Sequence, residues 1–98
     1  MGWGPMISEG AFQSQVIKYL KLKEVWHVKY WAGSKFTKEG IPDILACIDG
    51  VFHGIELKTD VGKPSALQLH NINKINESGG EAYILRPRDF EKWKEKWF

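Results

Sequence analysis

The stretch that decides the reading is "GIPDILACIDGVFHGIELKTDVGKPSALQ", Gly40 to Gln68. It holds two apolar runs, "PDILACI" and "VFHGIELKT", on either side of Asp49-Gly50. Asp-Gly between alternating hydrophobic runs is the strongest short-range signal for a two-residue hairpin with a type I′ turn. With Asp49 and Gly50 as the loop, paired positions sum to 99, so Ile48 faces Val51, Ala46 faces His53 and Asp43 faces Glu56. Side chains opposite one another in an antiparallel pair share a face, their Cβ atoms about 4.5–5.5 Å apart. Lys58, two residues beyond Glu56, joins that face. The hairpin therefore sorts into a core face of Ile44, Ala46, Ile48, Val51, His53, Ile55 and Leu57. Its second face carries Asp43, Leu45, Cys47, Phe52, Gly54, Glu56 and Lys58. A slip of one residue would exchange the two faces, so the reading hangs on the turn.

Two carboxylates this close repel, and one keeps its proton unless a cation sits between them. A hard divalent ion such as Mg²⁺ meets that need with oxygen ligands and retained waters. A lysine beside it can orient a water nucleophile or stabilise charge on a phosphate. The plain alternative is that Asp43 caps a turn while Glu56 and Lys58 form an exposed pair of little energetic worth. Proline before Asp43, the matched register and the alternation Glu56-Leu57-Lys58 favour the metal site.

Around the hairpin the chain shows no repeat, low-complexity tract or linker. "SEGAFQSQVIKYLKLK", from Ser8, spaces Phe12, Val16, Tyr19 and Leu20 as a helix capped by Ser8. "VWHVKYWA", Val25 to Ala32, is rich in β-branched and aromatic residues and reads as a strand. "GSKFTKEG" is a basic, glycine-bounded loop. Downstream, Ser65 and Gln68 stand at capping-box spacing, Leu69, Ile72 and Ile75 form an apolar stripe, and Gly79-Gly80 ends the helix. "EAYILR" is a fourth strand. "PRDFEKWKEKWF" opens with proline in a first helical turn and places Phe90, Trp93 and Trp97 on one face. The order αβββαβα predicts an α/β (α+β) fold, a mixed sheet flanked by helices, with one further helix at the C-terminus.

Pro42-Asp43, twelve intervening residues and Glu56-Leu57-Lys58 form the PD-(D/E)xK signature of restriction-endonuclease-like nucleases. More of the chain resembles one branch, the virus-type replication-repair nuclease (VRR-NUC) domain. That resemblance takes in Gly40 before Pro42-Asp43, "GKPSALQ", the glycine-ended helix, the strand in "GGEAYIL" and an early acid, Glu9, over most of residues 8–86. It implies a restriction-endonuclease-like αβββαβ core within a single domain, residues 1–98. Asp43 and Glu56 become metal ligands with the Leu57 main-chain carbonyl, and Lys58 the catalytic lysine. Glu9 matches a helix-1 acid that approaches the metal, although the helix dipole alone also favours an acid in a first turn. Gln68 matches a glutamine at the catalytic site, although the capping box accounts for it too. The implied activity is Mg²⁺- or Mn²⁺-dependent, structure-selective DNA endonuclease cleavage of phosphodiester bonds. Stand-alone members resemble phage-encoded homodimers that cut branched DNA such as four-way (Holliday) junctions. The alternatives are cleavage of ordinary duplex or flap DNA, a catalytically silent junction-binding module, and a plain oligomerisation domain.

Composition sets the outer bounds. Ninety-eight residues, 43% hydrophobic and 27% charged, make one folded domain, with no room for an accessory DNA-binding domain. No run approaches the roughly 20 apolar residues of a membrane span. The N-terminus lacks a secretory pattern and Cys47 is the single cysteine, so a cytoplasmic setting is expected, the host's if the chain is phage-encoded. A net charge of +2 does not by itself announce a nucleic-acid binder. Lys29, Lys35, Lys38 and Lys63 are expected to flank the site, with Lys35, Lys38 and Lys63 the better phosphate partners. "GKPS" brings Ser65 to a helix N-terminus that can hold a phosphate. It lacks Walker A spacing, so no nucleotide cofactor is expected. His53 reads as a satisfied core residue. Trp93, Trp97 and Phe98, with Trp3, serve either a dimer interface or the chain's own sheet.

Overall fold

The computed structural model describes residues 6–31, 33–35 and 37–98; Trp3, and Ala32 at the end of the expected first strand, lie outside them. In chain order the elements are α1 (Glu9–Leu22), β1 (Trp26–Lys29), β2 (Ile44–Ile48), β3 (Val51–Leu57), α2 (Ala66–Glu77) and β4 (Glu81–Leu85). A 3₁₀ turn (Pro87–Asp89) then leads into α3 (Phe90–Trp97). This is the expected order, assembled as a four-stranded mixed sheet β1-β2-β3-β4. The first three strands are antiparallel and β3 runs parallel to β4, so α2 supplies the crossover a parallel pair requires.

Asp49 and Gly50 adopt φ values of 52° and 79°, the left-handed pair of a type I′ turn. The register follows: Ile44 opposite Ile55, Ala46 opposite His53 and Ile48 opposite Val51. Each residue therefore keeps the face expected of it. Phe12, Val16 and Leu20 of α1, with Phe90 and Trp93 of α3, close over Ile44, Ala46, Ile48, Ile55, Leu57 and Leu85. Val51 stands at the rim beside the turn and is partly exposed.

Part of the second face is covered by α2, and its approach is close. A Cβ at Gly54 would come within 2.9 Å of Ile75 Cδ1 and 3.0 Å of Pro42 Cγ. The stripe that lands on the sheet differs from the expected one. Ile72 is buried and Ile75 meets Gly54, but Leu69 is 44% exposed. Seating Ile75 on Gly54 turns the helix so that Gln68, Asn71, Ile72 and Ile75 face inward, and Leu69 lies about 100° round from Gln68. Trp93 is buried in the chain's own core and Trp97 packs against it, while Phe98 remains partly exposed. Among the described residues no helix is long and apolar enough to cross a membrane.

Candidate functional site

Asp43 sits immediately before β2, on the second face. Its carbonyl accepts the Tyr30 N–H at 2.8 Å, which ties its backbone to the end of β1. Its carboxylate Oδ2 accepts the Leu57 N–H at 2.9 Å, so the side chain reaches across to β3. Glu56 is the deepest acid, only 1% exposed. Its Oε2 accepts from Gln68 Nε2 at 2.9 Å and lies 3.5 Å from Lys58 Nζ. Its Oε1 is buried with no hydrogen-bond partner among the described residues. Burial, reinforced by the Asp43 carboxylate and opposed by the Lys58 ammonium, pushes the Glu56 carboxyl up to about 7.

The proline of Pro42-Asp43 has a backbone consequence. A two-residue hairpin makes Ile48–Val51 a hydrogen-bonded pair, and such pairs recur at every second position. Continuing the observed register sets Leu57 in such a pair with Pro42. Proline has no N–H to give, so the Leu57 carbonyl loses its ladder donor. Meanwhile the Leu57 N–H has turned to the Asp43 carboxylate. The Leu57 main chain therefore meets the Asp43 side chain just past the end of the β2–β3 ladder.

Gln68 serves two purposes at once. Ser65 Oγ accepts the Gln68 N–H at 3.1 Å, and Gln68 Oε1 accepts the Ser65 N–H at 2.8 Å, a complete capping box. With its oxygen committed to the cap, the amide can only present its NH₂ to Glu56. The helix carrying it is anchored to the loop before Asp43: Asn71 Nδ2 donates to the Gly40 carbonyl at 3.1 Å. Gly40 has φ +77°, and a Cβ there would stand 2.5 Å from Leu67 Cγ, so only glycine admits this docking. The loop after Lys58 is clamped from the other side. Arg86 Nη1 donates to the carbonyls of Thr59 (2.6 Å) and Gly62 (2.7 Å), and the Arg88 N–H donates to Asp60 at 3.1 Å.

Asp43, Glu56, Lys58 and Gln68 are therefore brought together, with the Leu57 main chain beside them. Glu9 is exposed in the first turn of α1, the helix packed on the core face. Among the described residues no three His, Cys, Asp or Glu side chains gather into a group able to hold a metal, so Glu9 is not gathered with Asp43 and Glu56. That donor set still fits a hard ion: the orphaned Glu56 Oε1, the Asp43 carboxylate and a carbonyl are all oxygen, and Mg²⁺ is commonly held by one or two carboxylates plus waters. Lys35, Lys38 and Lys63 are exposed in the two loops beside the motif, and Ser65 is the cap of α2. Lys29 pairs with Ile44 and so lies on the core-side face, away from the acids, which removes it from the flanking set.

Asn71, Arg86 and Arg88 position the site without having been singled out from sequence. A polar residue midway along the inward stripe of α2 is the one signal that marks Asn71. His53 lies in the core as expected but is not wholly satisfied, for its buried Nε2 has no hydrogen-bond partner among the described residues. It is fully buried, its Nδ1 bonds the Tyr83 hydroxyl at 2.8 Å, and Trp93 Nε1 donates to that same hydroxyl. Burial lowers the His53 pKa against the opposing pull of Glu81. His53 faces away from Glu56 and takes no part in the site. Comparison with protein-family models, curated proteins and solved structures gave no match to this chain.

Proposed function

We propose that this chain is a metal-dependent DNA endonuclease that hydrolyses phosphodiester bonds, acting in the cytoplasm as a homodimer on branched DNA such as four-way junctions. The observation that carries the reading is the pairing of Glu56, 1% exposed, with the Asp43 carboxylate, while Lys58 Nζ stands 3.5 Å from Glu56 Oε2. Two carboxylates placed together and away from solvent repel, and burial with Asp43 holds the Glu56 carboxyl up at about 7, a cost that a bound cation would relieve. Asp43, Glu56 and the Leu57 carbonyl would hold Mg²⁺ or Mn²⁺. Bound there, the ion would supply an acidified water and charge compensation for the phosphate. Gln68 holds Glu56 through Oε2. Lys58, its side chain 15% exposed and its Nζ 3.5 Å from Glu56 Oε2, would face a phosphate oxygen that gains negative charge in the transition state. Two subunits set against one branched substrate would address two strands, and no nucleotide cofactor is required.

The test is a panel of end-labelled four-way junction, flap and linear duplex DNAs, incubated with Mg²⁺, Mn²⁺ or EDTA beside a native mass measurement. Wild type should cut with metal, and Asp43→Ala and Lys58→Ala should each lose at least about 100-fold in rate. Variants that cut as fast as wild type with Mg²⁺ present would end the assignment.

A further inference from the structure

The second face of the sheet is not wholly covered by α2. Trp26 pairs with Cys47, and Cys47 with Phe52, so these three form one cross-strand row at the turn end. Trp26 is 62% and Phe52 45% exposed. Between this row, α2 and the loop before Asp43 runs a groove of about 460 Å³, lined among others by Phe52, Ile41, Ile75, Lys38 and Lys74. Aromatic and aliphatic surface makes its floor, two lysines stand on it, and no carboxylate lines it. Lys74 does reach Glu77 at 3.7 Å, but both are well exposed and such pairs are weak. The larger groove beside β4 differs in this respect, for it is lined by Glu81 and Asp89 as well as Lys92 and Lys96.

We propose that this groove binds a nucleic-acid strand with unpaired bases, one base stacking on Phe52 while Lys38 and Lys74 take its phosphates. Aromatic surface rewards a base only when the face of that base is free, which duplex stacking denies. The lysines supply the sequence-independent attraction for phosphate. Phe52, Gly54 and Glu56 alternate along β3 on one face, so the stacking position lies about 13 Å along the strand from Glu56. Ile75 and Pro42 are seated on Gly54 between the two positions, so a strand joining them would pass around that contact. It would span more than the roughly four stacked nucleotides that about 13 Å alone would hold. The inference deepens the nuclease reading and rests on it for its consequence: the enzyme would prefer substrates with an open strand next to the cut, such as flaps and loosened junctions.

Fluorescence anisotropy in EDTA tests binding apart from cleavage, with a short labelled oligothymidylate and a blunt duplex as probes. The oligothymidylate should bind more tightly than the duplex. Phe52→Ala should weaken it about ten-fold, within the range for one lost stack, and leave the duplex unchanged. Phe52→Trp should restore binding. Lys38→Gln and Lys74→Gln should each flatten the dependence of log K on log salt by about 0.7. A matched melting curve shows that the half-exposed Phe52 was removed without unfolding. Wild-type affinity in Phe52→Ala, equal loss on both probes, or a change confined to native mass would overturn the proposal, the last assigning the row to a second copy of the chain. If no DNA is cut with either metal but Phe52-dependent binding persists, the nuclease reading fails and the groove stands. If Asp43-dependent cutting is present and Phe52→Ala binds normally, the groove fails alone.

Discussion

Glu56 is the buried acid of the candidate site, and its protonation couples that site to stability. Burial and Asp43 raise its pKa from 4.5 to about 7 in the folded chain, whereas the unfolded chain keeps the ordinary value. Between those values the folded state binds the extra proton, so stability is full below about 4.5 and declines as pH rises through 7. At about 1.4 kcal/mol per pKa unit, Glu56 alone should cost the metal-free protein on the order of 3 kcal/mol across that window. His53 offsets this in part, since its burial-lowered pKa favours folding as pH rises. Thermal melts in EDTA at pH 5 and pH 8 should show the loss in wild type and little of it in Glu56→Gln. Saturating Mn²⁺ at pH 8 should restore stability to wild type only, by about 2.7 kcal/mol at one hundred times Kd. An equal pH response in the two proteins would remove Glu56 as its source. Asp43, Glu56 and Lys58 were legible because hairpin register has a period of two and Asp49-Gly50 sets its phase. Gln68 was legible twice over, as cap and as site residue, and the structure shows one amide serving both ends. Asn71 and Arg86 were not legible, because their bonds to Gly40 and to Thr59 and Gly62 span 31, 27 and 24 residues, and no local pattern encodes such contacts.

Among the elements, α2 is the one whose placement sets the geometry of the site, because it carries Gln68 to Glu56 and rests on the sheet at Gly54. Its existence and its start were plain from Ser65 and Gln68, yet its inward face was not. Leu69 looked as apolar as Ile72, and only the seat that Gly54 offers to Ile75 decides which of them is buried. That seat is testable by filling it. In Gly54→Ala the new methyl would sit 2.9 Å from Ile75 Cδ1 and 3.0 Å from Pro42 Cγ, well inside ordinary contact. Overpacking of this kind costs about 1–3 kcal/mol. The displaced helix should also loosen the Gln68–Glu56 hydrogen bond, so cleavage should fall together with the urea midpoint. Ile75→Val removes the nearer of the two clashing atoms, and the double variant should regain part of both losses, a coupling that a double-mutant cycle measures. Additive losses would mean that helix and strand do not meet through this contact.

At the scale of the whole molecule, an open four-stranded sheet must manage two edges, since unpaired strand edges invite further strands. At one edge lies β1, only four residues long. The other is β4, of five residues, laid parallel to β3. Its outward groups at Ala82 are both occupied by one side chain: Asn76 Oδ1 accepts the Ala82 N–H at 2.7 Å, and Asn76 Nδ2 donates to the Ala82 carbonyl at 3.0 Å. The amide stands in for the strand that is missing. Asn76 holds this position because α2 ends just past it, with Gly79 at φ +99° turning the chain back into β4. No local sequence pattern marks Asn76, since strand order and edge identity emerge only once the crossover is made. Asn76→Leu keeps the bulk and removes both hydrogen bonds. Water replaces them in part at an exposed edge, so the stability cost should be modest, about 1–2 kcal/mol. The larger effect should be on association. Weight-average mass from sedimentation should climb with protein concentration beyond the wild-type value, as freed β4 edges pair. A variant whose mass matches wild type across the same concentrations would show that β4 is protected by something other than this amide.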